Sequence, residues 1–83
     1  MEAMSDLKYF VEYLVKSLVD NPDEVRIKEI SGEQTVIYQL QVVKADMGKV
    51  LGKHGRNVQA VRTLINAASA KAGKKRITLE IIE

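Results

Sequence analysis

Two glycines three residues apart, Gly52 and Gly55, enclose Lys53 and His54. They separate a short apolar stretch ending at Val50-Leu51 from a long helical pattern that begins at Arg56. Interior glycines each cost a helix about 1 kcal/mol relative to alanine, so the spacing predicts a bend between two helices rather than one continuous helix. A bend of this kind brings backbone N–H groups and the positive start of the second helix against an anion, with no Cβ in the way. Lys53, His54 and Arg56 surround it with cationic or protonatable side chains, and Lys49 lies one turn earlier. Gly52 also reads as a plain helix C-cap and Gly55 as a turn glycine. Both readings are compatible with an anion site, because such a site is built from the turn.

The rest of the chain supplies the elements around that bend. Ser5 is placed to cap a first helix, with Asp6 in its first turn. Leu7, Phe10, Val11, Leu14 and Leu18 follow the spacing of a buried stripe, with Val15 beside it, and Asn21-Pro22 is predicted to end that helix. Val25 to Lys28 alternates as a half-buried strand. Ser31-Gly32-Glu33-Gln34 supplies turn residues, and Thr35 to Val43 forms a second strand with Val36, Tyr38, Leu40 and Val42 on one side. The short link predicts an antiparallel hairpin. Asp46 is placed to cap a short helix through Leu51, in which Gly48 admits close approach of either a nucleotide or a neighbouring strand. A longer helix is predicted from Arg56 to Ala72, with Val58, Val61, Ile65, Ala68 and Ala72 on one face, Leu64 flanking it and Gly73 as its stop. Lys74-Lys75-Arg76 precedes a last strand in which Ile77, Leu79 and Ile81 alternate with polar residues.

The order is α-β-β-α-α-β. The helical crossover between the second and third strands favours a parallel pairing, and each strand has one mainly apolar face. The expected fold is therefore α+β: two layers, with a mixed three-stranded sheet and the helices on one face.

Charge is distributed unevenly. Residues 1–43 hold four basic and eight acidic side chains, whereas residues 44–83 hold nine basic and three acidic ones. No acid occurs between Met47 and Leu79, a stretch containing eight Lys and Arg residues. Segregation on this scale implies one basic face for a polyanion. The Lys74-Lys75-Arg76 cluster either extends that face or is a solvated loop. Length and composition, 83 residues with 46% hydrophobic content, predict one domain over residues 1–83. The chain has no cysteine and one histidine, which excludes disulfides, thiolate metal sites and thiol nucleophiles; no cofactor or metal is expected. The N-terminal apolar residues are interrupted by Lys8, Glu12 and Lys16, so a secretory signal is not expected and the cytoplasm is the predicted compartment. Enzymatic function is disfavoured: the basic half lacks paired carboxylates, and Gly55 is followed by Arg56-Asn57 where a P-loop requires Lys and Ser or Thr.

With these elements in order, Val50-Leu51-Gly52-Lys53-His54-Gly55-Arg56 resembles the GxxG segment of a KH domain, a fold that binds single-stranded nucleic acid. The pair of glycines alone is a weak motif; between two helices, after a hairpin and before a last strand, it becomes specific. The extra helix and strand before the βααβ core are similar to the type II arrangement, and the likeness runs from about Ser5 to Ile82. The compact chain is similar to small bacterial single-KH proteins of the KhpA type. The resemblance implies RNA binding in which Gly52, Lys53, His54 and Gly55 clamp the backbone of about four nucleotides. Arg56 and Lys49 would serve as further phosphate contacts, and Val50 and Leu51, with Val58, as a groove floor or as ordinary core. It further implies single-stranded RNA as partner, with single-stranded DNA as an alternative. It also implies an RNA-chaperone role linked to cell shape and peptidoglycan homeostasis, and a homodimer or a heterodimer with a larger KH protein. Phe10, Tyr9, Tyr13 and Tyr38 lie outside the basic segment and read as packing or interface residues, which disfavours an aromatic stacking platform. The competing function is a protein-interaction adaptor that uses the same fold without binding nucleic acid.

Overall fold

The computed structural model describes residues 3–71 and 76–82. Helix α1 spans Ala3–Lys16, strands β1 and β2 span Arg26–Ser31 and Thr35–Gln41, helices α2 and α3 span Met47–Leu51 and Arg56–Lys71, and strand β3 spans Arg76–Ile82. Single 3-10 turns occupy Pro22–Glu24, Lys44–Asp46 and Lys53–Gly55. The expected helix stop at Gly73 and the Lys74-Lys75 part of the basic cluster lie outside the described residues.

Strands β1 and β2 form the antiparallel hairpin, and β2 pairs in parallel with β3, giving the order β1-β2-β3. Register places Val36 beside Ile77, Tyr38 beside Leu79 and Leu40 beside Ile81. Their side chains form the buried sheet face, with Tyr38 and Leu40 fully enclosed. Val58, Val61 and Ile65 of α3 close over them, as their spacing predicts. The result is the expected two-layer α+β architecture with a mixed three-stranded sheet. Glu29 sits opposite Tyr38 on the inward side of β1. Burial, followed by the charge of Glu29 and its hydrogen bond to the phenol, raises the Tyr38 pKa far above its ordinary value.

Helix α1 departs from expectation in three ways. It begins at Ala3, so Ser5 lies inside the helix rather than at its cap. It ends at Lys16 and not at Asn21-Pro22: the Ser17 hydroxyl donates to the Tyr13 carbonyl (2.8 Å), and the Leu18 amide bonds to Val15 (3.0 Å), tightening the last turn. Pro22 instead opens the following 3-10 turn, where its missing N–H is harmless. The buried line runs through Leu7, Val11 and Val15, with Leu14 and Leu18 only partly buried, while Phe10 is 36% exposed. The stripe is thus rotated towards Val15. A line of residues four apart, two of them short and β-branched, lets the helix lie close against α3 and β1.

Along β3, Asn66 of α3 acts as a surrogate strand: its Oδ1 accepts from the Ile77 amide (3.1 Å) and its Nδ2 donates to the Ile77 carbonyl (3.1 Å). Four residues earlier in α3, Arg62 donates to the Leu79 carbonyl (3.1 Å). Helix α3 is thereby pinned to the strand edge as well as to the core.

Candidate nucleic-acid interface

Helix α2 terminates at Gly52, whose amide bonds to the Gly48 carbonyl (2.9 Å) while its own backbone turns to φ 75°, ψ 171°. This is a region essentially reserved for glycine. The position is also sterically closed: a Cβ there would lie 2.6 Å from Asn57 Cγ and 2.8 Å from the Asn57 backbone nitrogen. Asn57 approaches so closely because its Nδ2 donates to the Lys49 carbonyl (2.8 Å), tying the first turn of α3 to the end of α2. Gly52 thus has a packing reason within the chain. The role of Asn57 was missed in the sequence; its one signal is an amide side chain at a helix start, where such residues bond to nearby backbone.

His54 lies in the left-handed region (φ 57°, ψ 27°), followed by Gly55 at φ 74°. A residue with a Cβ pays about 1–2 kcal/mol for that conformation. A Cβ on Gly55 or on Gly48 would meet no atom within 4 Å. No neighbouring strand therefore accounts for Gly48.

Lys53, His54 and Arg56 are exposed, and among the described residues none of them has an ion-pair or hydrogen-bond partner for its side chain. The turn uses some of the amides that the sequence offered to an anion: Gly55 N–H bonds to the Gly52 carbonyl (3.1 Å) and Arg56 N–H to the Lys53 carbonyl. The Lys53 and His54 amides remain without a partner among the described residues, so the donors for an anion are these two amides and the three side chains. Leu51, beside the loop, is 40% exposed. Val50 and Val58 are instead core residues, 1% and 4% exposed, and they hold α2 and α3 in place beneath the loop. Lys49 is exposed but engaged, with its Nζ 3.1 Å from Asp20 Oδ2. The acidic N-terminal half thus reaches the rim of the loop at this pair.

Asp46 occupies the cap position of α2, yet its carboxylate does not cap it. Buried to 1% exposure, it accepts from the amides of Asp20 (3.3 Å) and Asn21 (3.0 Å) and from Asn21 Nδ2 (3.1 Å). A carboxylate drawn to three donors of the α1–β1 link has no lone pair aimed at its own helix, which corrects the expectation of a cap. Burial raises its pKa, but the donors of Asn21 and Asp20, with the charge of Lys49, outweigh this and hold it below its ordinary value. A depressed carboxyl stabilises the fold above its unfolded-state pKa and loses that contribution as pH falls through the folded value. Asp46→Asn is accordingly expected to be less stable than the parent at pH 7, with the gap narrowing below about pH 4. Urea midpoints at pH 7, 5 and 3 measure this; a gap independent of pH would show that the charge of Asp46 is not what the clamp uses.

The geometry can be set beside known proteins. The family model for the KH domain of KhpA/KhpB matches residues 8–81, which include both helices of the bend, the loop, strands β1 and β2, and all but the last residue of β3. The chain belongs to the KhpA/KhpB KH-domain family. Among similar proteins are the RNA-binding protein KhpA of Aquifex aeolicus, 52% identical over 80 residues (96% of this chain, all of the relative), and that of Caldanaerobacter subterraneus, 54% identical over 72 residues (87% and 95%). The RNA-binding protein KhpA of Chlamydia pneumoniae is 48% identical over 77 residues (93% and 97%). Among the described residues no cluster of His, Asp or Glu is arranged to hold a metal, and no helix is long and apolar enough to cross a membrane.

Proposed function

We propose that this chain is an RNA-binding protein that grips the sugar-phosphate backbone of a single strand at Gly52-Lys53-His54-Gly55. One observation carries the reading: an exposed turn holds His54 in a strained conformation beside Lys53 and Arg56, all three free of partners, with empty space over Gly55. An exposed turn in an uncommon backbone conformation beside unpaired cations supports a site for an outside anion. Phosphate oxygens only accept hydrogen bonds, which suits a loop that presents two amides and three donor side chains. Leu51 supplies an apolar surface next to the turn, and Lys49 is a further phosphate contact once it exchanges Asp20 for the ligand. The RNA-binding names of relatives that share about half of the sequence support the same target.

A grip on about four nucleotides by a lone domain is weak. That suits an RNA chaperone or post-transcriptional regulator in the cytoplasm, working as a homodimer or beside a second KH protein so that two weak grips add. The exposed aromatics of α1, Tyr9 (63%), Tyr13 (71%) and Phe10, offer such a partner a surface.

The test is a salt titration. Affinity for a single-stranded oligoribonucleotide is expected to fall linearly on logarithmic axes, with a slope of about −0.7 per phosphate contacted. Association with a partner protein but with no RNA at any salt would instead establish an adaptor.

A further inference from the structure

The link between α1 and β1, residues 17–25, meets α2 at two points one turn apart. The first is Asp46 at the start of α2, buried to 1% exposure, which accepts the amides of Asp20 (3.3 Å) and Asn21 (3.0 Å) and Asn21 Nδ2 (3.1 Å). The second is Lys49, three residues on and therefore on the same side of the helix, with its Nζ 3.1 Å from Asp20 Oδ2. The backbone of Asp20 is thus held by a buried anchor, while its carboxylate reaches an ammonium in solvent. The two side chains are 72% and 45% exposed, and an exposed pair of this kind shifts an equilibrium by no more than about fivefold. It is a weak stabiliser of the fold, but its position is telling. Lys49 stands one helical turn before Gly52, and the Asp20 oxygen occupies the place beside Nζ that a phosphate oxygen would take. Lys53, His54 and Arg56 have no such acid among the described residues.

We propose that the Asp20 carboxylate is a built-in competitor of the RNA backbone: it occupies Lys49 in the free chain, and a bound strand has to displace it. This rests on the loop reading above and adds what sets the strength of that grip. Contact at Lys49 trades one ion pair for another, so only the difference between them adds to affinity. The cations without an internal acid contribute in full. A strand already anchored at Lys53 and His54 presents its next phosphate at high local concentration, and this is what allows it to displace Asp20. When the strand leaves, the Asp46 anchor keeps the Asp20 backbone in place, and the carboxylate returns to Lys49. Asp20 therefore lowers affinity and keeps the grip reversible.

Fluorescence anisotropy with octauridylate tests this on the parent, Asp20→Asn, Lys49→Gln and the double variant, with circular dichroism to confirm folding. Asparagine keeps the backbone amide that Asp46 holds, so the link stays in place. At low salt Asp20→Asn is expected to bind about two- to fivefold more tightly than the parent, a gain that shrinks as salt screens the pair. Asp23→Asn removes another exposed acid of the same link, one with no ion pair among the described residues, and is expected to change affinity by less than about 1.5-fold. Lys49→Gln is expected to weaken binding, and in that background Asp20→Asn should do no more than Asp23→Asn does. A folded Asp20→Asn variant that binds no more tightly than the parent overturns the competitor. So does a gain that persists undiminished beside Lys49→Gln, or a Lys49→Gln variant with parental affinity. Lys53→Asp with His54→Asp separates the two readings. If that variant keeps its affinity, the loop reading fails; if it loses binding while Asp20→Asn changes nothing, the competitor alone falls.

Discussion

Lys53→Asp combined with His54→Asp is expected to abolish RNA binding while leaving the fold intact. The two positions are exposed, so the core is untouched and stability should stay within about 0.5 kcal/mol of the parent. Aspartate is among the few residues that adopt the left-handed conformation of position 54 readily, so the turn itself survives. What changes is the field. One ammonium and one imidazole become two carboxylates beside amides that would face phosphate. A slope of about −0.7 per phosphate makes each contact worth about 0.7 logarithmic units at 0.1 M relative to 1 M salt, so losing two costs about 25-fold, and repulsion by the new carboxylates adds to it. Anisotropy at 0.1 M salt, with circular dichroism to confirm folding, reads both quantities. Unchanged affinity in a folded variant would eliminate the loop as the clamp.

Gly52→Ala is expected to have the largest effect on stability among the loop residues. Its backbone conformation costs a residue with a Cβ about 1–3 kcal/mol, and the new methyl would meet the Asn57 backbone nitrogen at 2.8 Å. Relief requires Asn57 to move and its bond to the Lys49 carbonyl to break, adding about 1 kcal/mol. The sum, about 2–4 kcal/mol, is a large part of the roughly 4–12 kcal/mol expected for a chain of this length. RNA binding should fall with it, because the bend that aims Lys53 and His54 is lost. Gly55→Ala is the informative comparison: it has left-handed strain but no clash, so it should cost only about 1–2 kcal/mol. Equal destabilisation by the two substitutions, measured by urea unfolding, would show that contact with Asn57 is not what makes Gly52 necessary.

Much of this architecture was legible before any coordinates. Alternation along Val36, Tyr38, Leu40 and Val42 marks a strand with one buried face, and the spacing of Val58, Val61 and Ile65 marks the inward face of α3, because both patterns follow from the period of the backbone. The bend at Gly52 and Gly55 was legible for the same reason: glycines that interrupt a helical pattern act locally. Helix α1 was harder. Its apolar residues cover enough of the circumference that the stripe through Phe10 and the line through Val11 and Val15 fit the sequence equally well, and only contact with α3 and β1 selects between them.

Contacts between residues distant in the chain lay beyond such reading. Nothing in the order of residues indicates that the Asp46 carboxylate reaches back to Asp20 and Asn21, some 25 positions earlier, or that Lys49 meets Asp20. Asn66 and Arg62 likewise acquire their role only when α3 lies along the β3 edge. Periodicity and the conformational demands of glycine settled which elements form and where the turn falls, because those are properties of neighbouring residues. Which polar groups are engaged and which remain free to hold a ligand was decided by the folded arrangement, because a hydrogen bond depends on distance in space and not on separation along the chain.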